Sequence, residues 1–326
     1  MTMNVEQVTL SIIIVTWNGK QFAWECLDSL RNYQDDPEVE IIVVDNASSD
    51  GTPGLVMQEF PWVRLIQTGA NLGFAKANNI GMATSAGKYV CLVNSDVHVL
   101  PGCLSSMQEY IEANPAVGIL GPQMLCPNGQ IGRSYFRFPT LWRGLCDAFA
   151  LRRVFRNSSS LSGIMMTDFD NSRTAEVDVL NGWFLMVRRR ALEEVGGLDE
   201  QFFMYGEDID WSYRFHKAGW KRVYFSGARA FHYGGASSAV APTRFYLEMK
   251  RANLSLIRKH HGELGAVLYV AVTILHEMLR AVGNCILILT VKPDRPRAIL
   301  NLDRSLACLR WVVTRELHGA EKVKIS

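Results

Sequence analysis

Residues 89–99, YVCLVNSDVHV, constrain the fold of this 326-residue chain more than any other stretch. Val90–Val93 show no polar alternation, so a strand through them must be covered on both faces, as strands in helix-flanked parallel sheets are. The abrupt Asn94-Ser95-Asp96 then marks the point where the chain meets solvent. In an open parallel sheet that edge is where ligands bind, although a polar turn closing a core strand has the same local signature. Other stretches repeat the plan. Leu10–Val15 is a β-branched run broken by Thr16-Trp17-Asn18-Gly19, after which Phe22, Cys26, Leu27 and Leu30 recur at helical spacing. Ile41–Val44 ends in Asp45-Asn46-Ala47, and Val63–Gln67 leads through Gly69–Gly73 into a helix over Ala75–Ser85. Buried strands joined by helices imply right-handed parallel crossovers, hence an α/β, Rossmann-like, mostly parallel sheet flanked by helices. Asn18, Asp45 and Asp96 then share one rim.

The chemistry of that rim is narrowed by what the chain lacks. No GxGxxG, GxSxG or HExxH motif is present, and Gly81–Lys88 misses the phosphate-loop pattern in spacing and in having no Ser or Thr after Lys88. A net charge of +2 gives no reason to expect a nucleic-acid partner, although the bases gather late in the chain. Seven cysteines without a CxxC pair suggest reduced thiols, and the N-terminus has no basic region before its apolar run, so a cytoplasmic protein is expected.

Carboxylates, amides and glycines at strand ends remain. An ionised Asp45 can accept hydrogen bonds from a base or ribose, or equally cap a turn. Asp96 is a hard oxygen ligand suited to Mg2+ or Mn2+ bridged to phosphates. In the second half, Phe202–Arg214 (FFMYGEDIDWSYR) sets Glu207 and Asp208 at a helix start, where the helix dipole favours the charged form that a general base needs; they could also serve as caps. His232, after an apolar strand and before Gly234-Gly235, suits a metal ligand or a structural role. Trp183 and Trp211 could offer stacking faces to a sugar or simply fill the core.

The ordered set VTWNG (15–19), VDNASSDG (44–51), NLGFAKANNIG (71–81), LVNSD (92–96), NGWFLMVRR (181–189), GGLDEQFFMYGEDIDWSYR (196–214) and FHYGGAS (231–237) resembles the family 2 inverting glycosyltransferases, and within them the rhamnosyltransferase-like branch that builds bacterial cell-surface polysaccharides. The resemblance implies a GT-A fold, a nucleoside-diphosphate-sugar donor (dTDP or UDP) and a divalent cation, Mg2+ or Mn2+. It implies donor contacts from Thr16, Asn18, Asp45, Asn46, Asn71, Gly73, Lys76, Asn94, Ser95 and Asp96. By the same carry-over Asp208 is the catalytic base, Asp96 and His232 hold the metal, and Trp183, Glu207, Asp210 and Trp211 face the acceptor. The first carboxylate of the DXD-type motif is Asn94 here, which leaves Asp96 as the principal ligand and the strictness of metal dependence open. The acceptor is expected to be a glycan or a polyprenyl-diphosphate-linked sugar. A sugar-nucleotide nucleotidyltransferase and a non-catalytic binding module are the alternatives; the first wants a glycine-rich basic loop that Thr16–Lys20 imitates poorly.

Domain organisation is expected as a catalytic domain over 1–241, carrying a basic insertion over 126–175, and a helical region over 242–326. Thr243–His261 reads as a basic helix and Glu263–Val291 as an apolar one, interrupted by His276, Glu277, Arg280 and Asn284. Those interruptions argue against a spanning helix; helices lying at a membrane interface, on the cytoplasmic side, and a helical subdomain or contact between copies of the chain that covers the catalytic domain are the two readings left.

Overall fold

The computed structural model describes residues 8–318 apart from 156, 204, 235–241, 292 and 294; at 152 and 315–318 only the backbone is described. The Gly235-Ala236-Ser237 end of the last motif therefore lies outside the described residues. Two compact units are present, one of residues 1–138 with 170–234, the other of 139–169 with 235–326.

The first unit is built on one mixed sheet. β1 (Leu10–Thr16) pairs in parallel with β2 (Val39–Asp45) and with β4 (Tyr89–Asn94), and β3 (Arg64–Gln67) adds to β2. Beyond β4 the direction changes. β10 (Phe184–Arg188) runs antiparallel to both β4 and β6 (Val117–Leu125), while β11 (Lys221–His232) is parallel to β6 and antiparallel to β5 (Val97–Val99) and β8 (Ala175–Glu176). The strand order is β3-β2-β1-β4-β10-β6-β11-β5, so the expected parallel sheet accounts for its first half. A two-stranded ribbon, β7 (Tyr135–Phe136) with β9 (Val179–Leu180), lies outside it.

Helices cover the faces as doubly buried strands require. Leu10, Ile12 and Ile14 on one face of β1 pack with Leu27 of α1 (Lys20–Ser29) and Phe60, which follows α2 (Thr52–Glu59). α3 (Phe74–Thr84) lies so close to β1 that a Cβ on Gly81 would collide with Ile13 Cγ2. α4 (Cys103–Ala113) buries Leu104, Met107 and Ile111 in the same core. α6 (Arg189–Val195) and α7 (Glu207–Lys217) follow β10, and the arginines at the junction of β10 and α6 serve the fold. Arg189 hydrogen bonds to Gly87 O and Ser85 O, and Arg188 to Val117 O.

The second unit is helical. Thr140 caps α5 (Leu141–Ala148) by accepting from Arg143 N at 3.2 Å. α8 (Pro242–Thr290) is broken at Gly262, whose φ of 70° and ψ of −173° separate the basic segment from the apolar one, and α9 (Arg295–His318) packs along it. Residues 139–169, the middle of the 126–175 insertion, belong to this unit and pack through α5 on α8. Polar residues on α8 face inward. Glu277 is fully buried and ion-paired to Lys250 Nζ at 3.0 Å; Arg280 donates to Tyr246 Oη at 2.7 Å and to Asn301 Oδ1 at 2.8 Å. Lys250 faces Tyr269 and Tyr246 as well as Glu277, and its pKa is raised although burial alone would lower it.

Gly81→Ala should lower the stability of the first unit by about 1–3 kcal/mol, the usual cost of overpacking. A fall in Tm measured by calorimetry checks this, and an unchanged Tm would contradict the close packing of α3 on β1.

Candidate active site

The strand register sets the rim. Thr16 lies opposite Asp45 and Val15 opposite Asn94, so β1, β2 and β4 release their loops at one level. Asn18, with a positive φ of 49°, ties the first loop to the second: its backbone N donates to Ser48 Oγ at 2.9 Å and its Oδ1 accepts from Ser49 N at 2.8 Å. Lys20 N donates to Asp50 Oδ2 at 2.9 Å. Burial pushes Asp50 up, but hydrogen bonds from Thr52 and Lys20 outweigh it and hold the carboxyl below its ordinary value. Ser95 approaches the same corner, since a Cβ on Gly19 would lie 4.0 Å from Ser95 Oγ and 3.9 Å from Thr16 Oγ1.

Asp45 makes the turn-capping bond weighed from sequence and keeps one oxygen over. Its Oδ2 accepts from Ser48 N at 3.0 Å, a turn-capping bond, while Oδ1 is buried without a partner, as is Thr16 Oγ1 on the paired residue. Buried acceptors are normally satisfied, so two unsatisfied oxygens side by side at a strand end mark a place built for something beyond the fold. Asn46 and Asn71, expected to contact the donor, have partners within the fold. Asn46 Nδ2 donates to Asn71 Oδ1 at 2.9 Å, and Asn46 Oδ1 accepts from Leu72 N at 2.9 Å, so both amides shape the 68–73 loop. Gly73, at φ 83°, allows that loop to meet the segment before α7: a Cβ there would lie 2.7 Å from Phe203 O, and Phe74 N donates to Phe203 O at 3.0 Å. Lys76 is exposed in the first turn of α3.

Asp96 and His232 come together. β5 and β11 pair Val97 with His232, Tyr233 N donates to Asp96 O at 3.0 Å, and His232 Nε2 lies 3.2 Å from Asp96 Oδ1. The other ring nitrogen, Nδ1, sits 3.3 Å from Met124 Sδ, and the ring stacks on Trp183 with centroids 5.2 Å apart and planes 25° apart. Cys26 Sγ reaches Asn94 O, and burial, followed by the charge of Asp96, pushes its thiol up to about 12, which disfavours the reactive thiolate.

Asp208 occupies the first turn of α7, after Tyr205 and Gly206, both at positive φ (68° and 87°). Its Oδ2 accepts from Gly182 N at 3.1 Å. Gly182 precedes Trp183, whose O accepts from Asn94 N at 2.9 Å and whose ring stacks on His232. The carboxylate at the helix start is thus joined to the Asp96–His232 pair through two consecutive residues. Burial raises the pKa of Asp208 against the hydrogen bonds from Gly182 and Ile209, and raises that of Glu207 well above the usual range, with the charge of Asp208 adding to it.

Three expected acceptor contacts are corrected here. Trp183 is 2% exposed with its ring against His232, and Trp211 is wholly buried with Nε1 donating to Gly196 O at 2.8 Å, so neither presents a face to a sugar. Asp210 is wholly buried and paired with Arg214 Nε at 2.8 Å. The exposed indole near the strand ends is Trp17, in the loop after β1. Met124 and Gly182 carried no sequence signal as site residues. A methionine in an apolar strand reads as core, and a glycine that acts through its backbone N–H has no side chain to announce the role.

Among the described residues no group of three or more His, Cys, Asp and Glu is gathered to hold a metal unaided. One hard carboxylate and one imidazole 3.2 Å apart nevertheless fit Mg2+ or Mn2+, which complete their shells from substrate phosphates and water.

A profile of the family described as Glycosyl transferase family 2 matches residues 11–196, which contain the rim, the Asp45 turn and Asp96. The chain belongs to that family. As a glycosyltransferase it is 33% identical over 265 residues to the N-acetylglucosaminyl-diphospho-decaprenol L-rhamnosyltransferase of Mycobacterium tuberculosis, covering 78% of this chain and 85% of the relative. Among solved structures, a mannosyltransferase from Pyrobaculum calidifontis in complex with GDP-Man and Mn2+ superposes with a TM-score of 0.57 over 96% of this chain and 88% of that one, at 17% identity, which identifies the GT-A fold. Glycosyltransferases of this fold typically work with a divalent cation.

Glu207 supplies a test of the buried pair. A carboxyl whose folded pKa is raised keeps a proton that the unfolded chain releases, so stability falls as pH rises from the ordinary carboxyl range towards the folded value. Glu207→Gln should therefore gain Tm relative to the parent at pH 8 and little at pH 4, read by calorimetry at the two pH values; a gain independent of pH would contradict it.

Proposed function

We propose that this glycosyltransferase moves a sugar, rhamnose by relation to the mycobacterial enzyme, from a dTDP or UDP donor to a hydroxyl of a polyprenyl-diphosphate-linked acceptor, with inversion, at the cytoplasmic face of the membrane. The observation that carries the reading is the short link from Asp208 through Gly182 and Trp183 to His232 and Asp96, since inverting transfer needs a base on the acceptor side and charge compensation on the leaving-group side.

The acceptor hydroxyl oxygen attacks the anomeric carbon and forms the new C–O bond while the bond from that carbon to the diphosphate oxygen breaks. Asp208 takes the hydroxyl proton on a carboxylate oxygen, and the electron pair of the broken bond leaves on the diphosphate. One carboxylate suffices, unlike the two placed across the scissile bond in glycosidases. Burial and the charge of Asp208 raise the pKa of Glu207, which favours placing the shared negative charge on Asp208. Gly182 N holds Asp208 in place.

Asp96 and His232 would hold a divalent cation, which supplies charge neutralisation at the leaving diphosphate. Trp183 and Met124 position the imidazole by stacking and by the contact at Nδ1, leaving Nε2 for that cation. Asp45 Oδ1 and Thr16 Oγ1 are the free acceptor and hydroxyl for the nucleoside, while Asn18, Asn46, Asn71 and Gly73 shape the loops around it. Asn94, Ser95 and Lys76 complete the donor side.

Asp208→Asn should lower kcat by about 10²–10⁴-fold while thermal stabilisation by the donor is retained. A variant with full activity would remove Asp208 from the mechanism. A panel of nucleotide sugars, each tested by thermal shift with and without Mn2+, should single out a rhamnose donor, because a ligand at 100 times its Kd adds about 2.7 kcal/mol of stability. Trp183→Leu should weaken Mn2+ affinity by about 10–100-fold, measured by paramagnetic resonance of the free ion; unchanged affinity would separate the stack from the metal site.

A further inference from the structure

Charge and apolar exposure are divided very unevenly between the two units. Among the described residues 22 large apolar side chains are exposed, and 18 of them lie in the second unit. In sequence that unit carries 18 Lys and Arg against 9 Asp and Glu, a net +9, which leaves the first unit at −7. The exposed residues are patterned. Beyond the break at Gly262, Leu264, Val267, Leu268, Met278, Val282, Ile286 and Leu289 recur at steps that keep one face of α8, and they are between 44% and 80% exposed. The opposite face holds Thr273, Glu277 and Asn284, all buried, with Glu277 ion-paired to buried Lys250 and to half-buried Arg280.

Pro242–Thr290 is long and apolar enough by composition to cross a membrane. A helix with one face committed to a buried ionic network and the other bare suits half-immersion along a bilayer rather than lipid on all sides. α9 also exposes Ile299, Leu300, Leu306 and Val313, together with Arg297 and Arg310.

We infer that the second unit seats this apolar face on an anionic lipid bilayer, the basic residues meeting the headgroups. Charge decides the occupant: two copies of a +9 unit repel one another, whereas an anionic surface attracts each. The inference deepens the lipid-linked acceptor reading by naming the surface on which the enzyme would meet it, and rests on that reading for its purpose. Its test involves neither donor nor acceptor, so failure of one does not entail failure of the other.

The full chain is mixed with vesicles of phosphatidylcholine alone, or of phosphatidylcholine with phosphatidylglycerol, and the bound fraction is read by flotation at two salt concentrations. Binding is expected to the anionic vesicles, weakened by salt. Arg297→Gln and Arg310→Gln should each weaken it by about fivefold. Val267→Glu with Ile286→Glu should abolish it while circular dichroism stays that of the parent, since both sites are solvent-exposed in the fold. Equal binding to neutral vesicles, no binding to either, or a dimer by light scattering that the same glutamates dissociate would each overturn the inference.

Discussion

The arrangement depends on the antiparallel pairing of β10 with β4. In a parallel sheet every strand begins at the edge away from the ligand, so a parallel neighbour would carry its preceding loop to the wrong side. Reversing β10 brings the start of that strand to the carboxyl end of β4, where Phe184 lies opposite Val93 and Asn94 N donates to Trp183 O. Gly182 and Trp183 thereby enter the rim formed by β1, β2 and β4, the glycine toward Asp208 and the indole against His232.

Around this junction the protein accepts local costs. Tyr205, a non-glycine residue at positive φ, precedes Gly206 at the start of α7, and conformations of this kind cost of order 1–3 kcal/mol and persist only where the surroundings enforce them. Glu207 and Asp208 are adjacent acids drawn out of water, and Asp45 keeps a buried oxygen without a partner. Each feature opposes stability and each lies at the proposed site, the pattern expected when a site is maintained against the fold. The network of Lys250, Glu277, Tyr246 and Arg280 is of another kind, since its charges are paired and no reacting group is near them on the same helices.

How much of this was legible depended on whether local pattern or distant partners decided the outcome. β1, β2 and β4 announce themselves because two-sided burial demands unbroken apolar runs, and α7 because its acids precede a helical repeat. β6 did not, although it lies in the middle of the sheet: Pro122 interrupts its pattern, and it is accommodated beside the register shift between Phe225 and Arg229 on β11. Within the insertion, the packing of α5 was not legible because its partner, α8, lies far along the chain. At the site, Asp96 and His232 were readable as residue types, but burial of Trp183, Trp211 and Asp210 was not, since an aromatic or acid beside a motif has the same letter whether it faces solvent or core. The roles of Asn46 and Asn71 turn on which atoms already have partners, a property of the folded loop alone.

The cysteines carry a practical consequence. All seven are free, and of these only Cys285 is exposed and only Cys126 partly so, the rest being buried. Cys285 sits one residue before Ile286 on the bare side of α8. A maleimide fluorophore or nitroxide added to the native chain would therefore attach first at the lipophilic face, reporting the polarity of its surroundings without any engineered labelling position.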